Sequence, residues 1–222
     1  MVVTSWRSGS TLIGELLNSY PKSYYSYEPL DHLRIRRAYA ADKDAQSADK
    51  VVKGLLTCNY TPVFEECNYF FLKKTLFQIF KFLSYFVVKS AGKSYTTAAG
   101  GELITRNAYL KGYCRTKAKR LGLCSTTSFL NRMCNESKFR IMKTVRLGLN
   151  VAQKRFEDKE TNEGLKVIYI ARDPRGLYNS RLHRDWCVDE ERCISPQKIC
   201  QDLESDYWTA KELLQSQKSN FM

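Results

Sequence analysis

Residues 2–17, VVTSWRSGSTLIGELL, decide the fold of this chain. The stretch opens with a β-prone run, passes through a loop around Gly9, and then places leucine and isoleucine at the i, i+1, i+4, i+5 spacing of one helix face. This order predicts a strand, a loop and a helix. Backbone N–H groups at the helix N-terminus attract anions, Gly9 permits close approach of a phosphate, and Arg7 can add a charge-assisted hydrogen bond. The alternative for this Ser/Gly turn is an ordinary helix N-cap.

The same alternation of strand and helix returns later in the chain. Further strands are predicted at Lys22–Tyr27, Phe139–Val145 and Lys166–Ala171, and further helices at Leu149–Phe156 and Pro174–Arg184. Strands that alternate with helices form a mainly parallel sheet with helices on both faces, so the predicted class is α/β. The 222 residues fit one domain, and its cysteine-bearing region 33–137 is predicted to be irregular and insert-like.

A second group of polar residues follows the strand predicted before residue 171. Residues 171–175 read ARDPR and lead into a helix that carries Ser180. Arg172 is therefore predicted at the carboxyl end of a parallel strand, where open α/β sheets bind ligands, and Ser180 two helical turns further on. A phosphate near the helix start would contact both residues. The alternative is structural, with Asp173 as the helix cap, Pro174 in the first turn, and Arg172 paired with a carboxylate.

The charge balance is strongly basic. Lys and Arg number 36 against 23 Asp and Glu, which gives a formal net charge of +13 and favours anionic partners. Nucleotides, acidic glycans, nucleic acids and anionic membranes all fit this charge, as does a solvated basic surface. We expect no nucleic-acid partner, because the chain has neither a recognised nucleic-acid motif nor a basic stripe interleaved with aromatic residues.

Cysteine usage indicates an oxidising compartment. The chain has eight cysteines, an even and high number for its size, and their proximity in sequence favours a pair between Cys58 and Cys67. Two N-glycosylation sequons, at Asn59 and Asn135, also favour a secretory route. We predict no metal site, because no Cys-x-x-Cys pair occurs and the two histidines lie far from any metal-like cysteine spacing.

Residues 69–88 form the most hydrophobic stretch of the chain. Three lysines interrupt it, and its apolar residues fall at helical spacing, so we predict an amphipathic helix rather than a membrane span. This helix would pack on the domain core or, alternatively, lie on a membrane surface or a partner. The triplet Gly92-Lys93-Ser94 does not complete a nucleoside-triphosphate loop, because the first glycine of that motif falls on Val87.

The loop at residues 7–11 and the ARDPR segment, taken together and in this order, resemble the motifs of the Golgi carbohydrate sulfotransferases that modify the 6-hydroxyl of galactose, N-acetylgalactosamine or N-acetylglucosamine. The resemblance runs from Thr4 to about Leu214, with further similarity at residues 14–17, 27–32, 53–58 and 143–147. It implies a P-loop-like three-layer sandwich and a single sulfotransferase domain over residues 1–222. It also implies an N-terminal membrane anchor and a C-terminal end outside the sequence given, and a place in the Golgi lumen.

The resemblance implies transfer of a sulfonate group from 3′-phosphoadenosine-5′-phosphosulfate (PAPS) to a sugar hydroxyl of a glycan, without a metal. The 5′-phosphosulfate would bind at the loop and the 3′-phosphate at Arg172 and Ser180, which gives the donor-binding residues Arg7, Ser8, Gly9, Ser10, Thr11, Arg172 and Ser180. Arg7 is also expected to stabilise the transferring group. The alternative is a non-catalytic remnant of the same fold that binds a glycan or nucleotide.

Glu28 is the predicted base for the acceptor hydroxyl, with His32 second and an ion pair with an arginine such as Arg34 as the structural alternative. Several basic residues would hold an acidic or already sulfated glycan, or would simply be solvated: Arg34, Arg36, Arg37, Lys117, Lys119 and Arg120. Trp186 and Tyr207 would stack on sugar faces or be buried. The sequence leaves the oligomeric state open.

Overall fold

Four parallel strands form the central sheet in this computed structural model, which describes residues 1–33, 37–66, 106–114, 124, 126–187, 190–217 and 220–222. The strands are β1 (Val2–Thr4), β2 (Ser23–Tyr27), β3 (Phe139–Thr144) and β4 (Ile168–Ile170). Their order across the sheet is β2-β3-β1-β4, and every pairing is parallel. The predicted α/β fold with a parallel sheet is confirmed, with strands slightly shorter than the sequence indicated.

Helices pack around this sheet. They are α1 (Ser10–Asn18), α2 (Ala45–Leu56), α3 (Ala108–Cys114), α4 (Thr127–Asn135), α5 (Leu149–Glu157), α6 (Lys159–Asn162), α7 (Pro174–Leu182), α8 (Glu191–Ile194) and α9 (Pro196–Ser216), with a short 3₁₀ helix at Asp31–Leu33. The predicted helices at α1, α5 and α7 are all present. The region 33–137 is more regular than its sequence pattern indicated, because it contains α2, α3 and α4.

The hydrophobic core lies between the sheet and the buried faces of α2, α4 and α5, while α1 packs closely on β2. Val2 and Val3 of the central strand β1 are fully buried, as expected for a parallel strand covered on both faces. Gly14 allows α1 to approach β2, because a Cβ atom at this position would run into the hydroxyl and ring of Tyr25. Tyr24 of β2 extends the core and packs edge-on against Tyr60, with ring centroids 6.2 Å apart.

The predicted disulfide between Cys58 and Cys67 is wrong. Cys58 is bonded to Cys134, and their Cα atoms lie 5.5 Å apart although 76 residues separate them in the chain. Tertiary packing brings the end of α2 next to α4, and bond formation depends on spatial rather than sequence distance. Two further disulfides join Cys114 with Cys124 and Cys187 with Cys193, while Cys200 is free and exposed.

Several predictions fall outside the described residues. These are the amphipathic helix at 69–88, the Gly92-Lys93-Ser94 turn, and the basic residues Arg34, Arg36, Lys117, Lys119 and Arg120. Within the described ranges, the chain has no helix with the length and apolar character needed to cross a bilayer.

Candidate active site

A cleft of about 760 Å³ lies at the carboxyl edge of the sheet. All four strands are parallel, so the loops that follow them meet at this edge, where open α/β sheets bind ligands. The lining comes from each of these loops and from the segment after α7: Trp6, Arg7, Gly9, Ser10, Thr11, Tyr27, Glu28, Asp31, Lys143, Val145, Arg146, Arg172, Trp186 and Glu190.

The N-terminus of α1 opens into this cleft. Gly9 is its N-cap, with a left-handed backbone φ of 89° that favours glycine, and among the described residues no side chain caps the helix. A Cβ atom added at Gly9 would meet nothing within 4 Å, so the space above the loop is open. Uncapped N–H groups and the positive end of the helix dipole make this loop a suitable anion site.

The two motifs found in the sequence meet at Arg7. Its Nε atom donates a hydrogen bond of 2.9 Å to Ser180 Oγ, across 173 residues of chain. Arg172 Nη1 donates a 2.8 Å bond to the Arg7 carbonyl oxygen, and its guanidinium lies against Gly176 in the first turn of α7. Arg7, Arg172 and Ser180 therefore form one cluster, with the Arg7 guanidinium directed towards Ser180.

The start of α7 also has the local structure that its sequence predicts. Asp173 is the N-cap and accepts a hydrogen bond from the Arg175 backbone N–H, and Pro174 lies in the first turn. Hydrogen bonds from the Arg175 side chain and backbone lower the pKa of Asp173 to about 2. The helix cap and the cluster around Arg172 thus coexist, since they use different side chains.

Glu28 lies at the end of β2 and is almost fully buried. Its Oε1 atom forms an ion pair with Lys143 Nζ, and its Oε2 atom accepts bonds from Arg146 Nη1 at 2.8 Å and from the Val145 N–H at 3.3 Å. The backbone of Glu28 has a positive φ of 46°, which is uncommon for a residue other than glycine. Two cations therefore balance the charge of this buried carboxylate, as burial of a carboxylate requires.

Asp31 and His32 point to different surroundings. Asp31 lines the cleft, is about half exposed, and receives Arg146 Nη2 at 2.8 Å, so Arg146 bridges Asp31 and Glu28. His32 instead places its Nε2 atom 3.4 Å from Ser47 Oγ on α2 and does not line the cleft. Of the two candidate bases, Glu28 lines the cleft and His32 does not.

The family profile described as "Sulfotransferase domain" matches residues 1–219. The chain belongs to the sulfotransferase domain family. Similar curated proteins are Carbohydrate sulfotransferase 1 of Danio rerio at 25% identity, Carbohydrate sulfotransferase 6 of Homo sapiens at 27%, and Carbohydrate sulfotransferase 2 of Mus musculus at 28%. Each alignment covers 82% of this chain but only 43%, 42% and 33% of the respective relative, so the chain spans less than half of their length. No solved structure matches the chain significantly.

This sulfotransferase domain contains four charged cleft residues that the sequence did not identify as site residues, and one of them is Glu190 in the segment after α7. Lys143 and Arg146 belong to β3 and the loop after it, and Asp31 belongs to the 3₁₀ helix after β2. The available signal was Lys143, a charged residue that follows the apolar pair Ile141 and Met142 near the end of β3. Sequence could not show its partner, because Glu28 lies 115 residues away in the chain.

Two residues proposed for glycan contact lie outside the cleft of the sulfotransferase domain. Arg37 is buried and forms an ion pair with buried Asp206, with 2.6 Å between Nη2 and Oδ2, so the prediction that it contacts an acidic glycan is wrong. Tyr207 is exposed on α9 beside Trp208 and does not line the cleft. Trp186 does line it. The described ranges contain no group of three or more side chains arranged to hold a metal ion.

Proposed function

We propose that this sulfotransferase domain transfers a sulfonate group from PAPS to a sugar hydroxyl of a glycan, with a 6-hydroxyl of galactose, N-acetylgalactosamine or N-acetylglucosamine as the acceptor. One observation carries this proposal. The uncapped N-terminus of α1, the cluster of Arg7, Arg172 and Ser180, and the ion pair of Lys143 with Glu28 all meet at one cleft. The names of the similar proteins agree with a carbohydrate acceptor.

The residues present fit a nucleotide that carries phosphates at both its 3′ and 5′ positions. The N–H groups at the start of α1 would hold the 5′-phosphosulfate, and the open space above Gly9 leaves room for it. Arg172 and Ser180 would hold the 3′-phosphate. Arg7 lies between these two anion sites, because it contacts Ser180 while its backbone belongs to the α1 loop.

Sulfonate transfer resembles phosphoryl transfer, in which the protein mainly positions the reactants and neutralises charge. PAPS supplies a sulfonate bonded to its 5′-phosphate. A bond forms between the acceptor oxygen and sulfur while the bond between sulfur and the 5′-phosphate oxygen breaks. Arg7 and Lys143 would stabilise the negative charge on the transferring group and the departing phosphate, since both line the cleft beside the α1 loop.

Glu28 would take the proton that the acceptor hydroxyl loses. Each carboxylate oxygen can accept two hydrogen bonds, so the bond to Lys143 leaves Oε1 with remaining capacity. Lys143 and Arg146 hold the carboxylate from two directions and thereby fix its orientation at the cleft. We place the reaction in the Golgi lumen, an assignment that agrees with the three disulfides of the structure.

Calorimetric titration with 3′-phosphoadenosine-5′-phosphate (PAP) tests the nucleotide site, with 5′-AMP and ATP as comparison ligands. We expect a clear preference for PAP and an affinity at least about tenfold lower in Arg172→Ala, because a charge-assisted bond is lost. Arg175→Ala is the matched control, because Arg175 is an exposed arginine in the first turn of α7, three residues after Arg172. It pairs with Asp173 and does not line the cleft. Equal binding of PAP and 5′-AMP would contradict the site.

Sulfonate transfer from PAPS to a panel of glycans tests the activity. Glu28→Gln should bind PAP like the unmodified chain, and its kcat should fall by about a hundredfold or more, because a general base is removed. An unchanged kcat would remove Glu28 from this role. PAP binding without transfer to any glycan would favour the non-catalytic remnant.

A further inference from the structure

We propose that Trp186 is the stacking platform for the acceptor sugar, that Asp31 and Glu190 accept hydrogen bonds from its hydroxyls, and that this subsite selects an uncharged sugar unit at the point of transfer. This inference rests on the proposed function and adds the chemistry of the acceptor. Trp186, Asp31 and Glu190 all line the same cleft as the α1 loop.

The cleft lining carries charges of both signs. The α1 loop and Arg172 suit phosphates. The remaining lining contains the three carboxylates of Glu28, Asp31 and Glu190 and the two cations of Lys143 and Arg146, which pair with Glu28 and Asp31, so one negative charge is left over. This excess carboxylate makes this part of the cleft less favourable than the α1 loop for a nucleotide with several phosphates. This part suits a ligand whose polar groups are hydroxyls that donate hydrogen bonds.

The two tryptophans of the cleft contact each other, with the Trp186 ring exposed and the Trp6 ring beneath it. Trp186 is 44% exposed, and its ring centroid lies 6.4 Å from that of Trp6 at a tilt of 47°. The guanidinium carbons of Arg146 and Arg181 lie over the Trp6 ring at 5.9 and 5.7 Å. Trp6 is therefore engaged with arginines, and Trp186 is the ring with surface left for a ligand.

Trp186 directly precedes a short loop that a disulfide closes. The disulfide joins Cys187 with Cys193, and Glu190 lies between them in the chain. Glu190 N–H donates to the Cys187 carbonyl at 3.1 Å, and Cys193 N–H donates to the Glu190 carbonyl at 2.8 Å. These bonds fix the backbone of Cys187, Glu190 and Cys193, so Glu190 can bind a ligand without a large ordering cost.

Arg181 connects this loop to the supporting tryptophan. Its side chain is almost fully buried, and its two terminal nitrogens donate bonds of 3.4 Å to the carbonyls of Cys193 and Trp6. Burial lowers the pKa of Arg181 to about 10, which leaves it charged at neutral pH. The residue thus acts as a positioning residue for the platform, because it holds the disulfide loop against the segment that carries Trp6.

An uncharged pyranose fits this combination of groups. Its C–H face is apolar and can lie on an aromatic ring, while its hydroxyls donate to carboxylates at the rim. Asp31 is about half exposed, and Arg146 engages its Oδ1 atom, so the carboxylate is oriented and keeps acceptor capacity. A sulfate or uronate on the accepting unit would meet Glu190 as a like charge and would bind more weakly.

Steady-state kinetics of the full chain tests the subsite, with PAPS saturating and with an uncharged glycan or its sulfated counterpart as acceptor. Trp186→Ala should raise the KM for the uncharged glycan by about five- to tenfold, and Trp186→Phe should retain most of the affinity, since a ring remains. Glu190→Gln should lower the ratio of kcat/KM for the uncharged glycan to kcat/KM for its sulfated counterpart. Trp208→Ala is the matched control, because Trp208 is exposed to a similar degree, 52% against 44%, but lies on α9 outside the cleft.

Two kinetic results would overturn the proposal. The first is an unchanged acceptor KM in Trp186→Ala. The second is a loss of PAP affinity in that variant, which would assign Trp186 to the nucleotide. If the chain neither binds PAP nor transfers sulfonate, the proposed function fails, and tryptophan fluorescence then tests the subsite alone. The Trp208→Phe variant is titrated with methyl β-galactoside and with methyl N-acetyl-β-glucosaminide. We expect a saturable change in fluorescence that the additional substitution Trp186→Ala abolishes. If neither sugar changes the fluorescence, the proposed subsite is refuted.

Discussion

Replacement of Arg37 by methionine should strongly destabilise the fold. Arg37 is 1% exposed, and its partner Asp206 is fully buried, with 2.6 Å between Nη2 and Oδ2. The same guanidinium donates to the Tyr39 hydroxyl at 2.7 Å and to the Leu147 carbonyl at 3.2 Å. Burial acts to lower the pKa of Arg37, but Asp206 together with Tyr39, Tyr169 and Asp202 outweighs it and holds the pKa above its ordinary value. Arg37→Met would leave a buried carboxylate without its cation.

The magnitude follows from this burial. Loss of one partner of a buried ion pair costs about 3 to 5 kcal/mol, because the remaining charge is neither solvated nor paired. For a chain of 222 residues, each kcal/mol lowers the unfolding midpoint by about 2 to 4 °C, so the expected decrease is about 6 to 20 °C. Asp206 Oδ1 also accepts the Leu149 N–H at 2.9 Å, so the double variant Arg37→Met/Asp206→Asn keeps that acceptor. The double variant should recover most of the stability that Arg37→Met loses, because no unpaired charge remains.

Thermal and urea unfolding of the oxidised chain, followed by circular dichroism, measures these differences. Arg175→Met makes the same chemical change at an arginine that is 90% exposed and paired with Asp173, and it should leave the midpoint unchanged. The reasoning fails if Arg37→Met costs less than about 1 kcal/mol, the range of an exposed pair. It also fails if the double variant is no more stable than Arg37→Met.

Three further predictions concern the close packing and the loops around the cleft. Gly9→Ala should weaken PAP binding about fivefold in calorimetry, because a left-handed backbone costs residues other than glycine about 1 kcal/mol. An unchanged affinity would exclude the loop as the phosphate site. Gly14→Ala should lower stability in urea unfolding by about 1 to 3 kcal/mol, because its Cβ meets the Tyr25 hydroxyl, and Tyr25→Phe should restore part of the loss. The double variant Cys187→Ser/Cys193→Ser should lose about 2 kcal/mol in thermal unfolding. It should also raise the acceptor KM while PAP affinity, the internal control, stays constant.

Local patterns were sufficient for much of the fold. Residues 2–17 predicted β1, the loop and α1, because a β-prone run, a glycine turn and helical spacing each act within a few residues. The caps of α7 were also predictable, since Asp173 and Pro174 have strong positional preferences at helix starts. The regularity of the region 33–137 was missed although local signals were present there, since α2 and α4 are amphipathic and the Thr126 side chain caps α4.

Partners across the chain were not predictable in the same way. Proximity in sequence favoured Cys67 for Cys58, whereas the fold brings Cys134 to it. Arg37 was expected at the surface because of its charge, and only the position of Asp206 on α9 explains its burial. A single sequence carries no distance between residues in different elements, so neither pairing had a local signal.

The sequence by itself determined the strands and helices outside the region 33–137, the loop around Gly9 that we propose binds an anion, and several of the residues that reach the carboxyl edge of the sheet. These follow from spacing, from backbone preferences and from the rule that parallel strands end at one edge. Only the tertiary structure decided that Arg7 meets Ser180, 173 residues away, and that Lys143 and Arg146 enclose Glu28. The physical reason is that such contacts depend on how the elements pack, which the local spacing of residues does not encode.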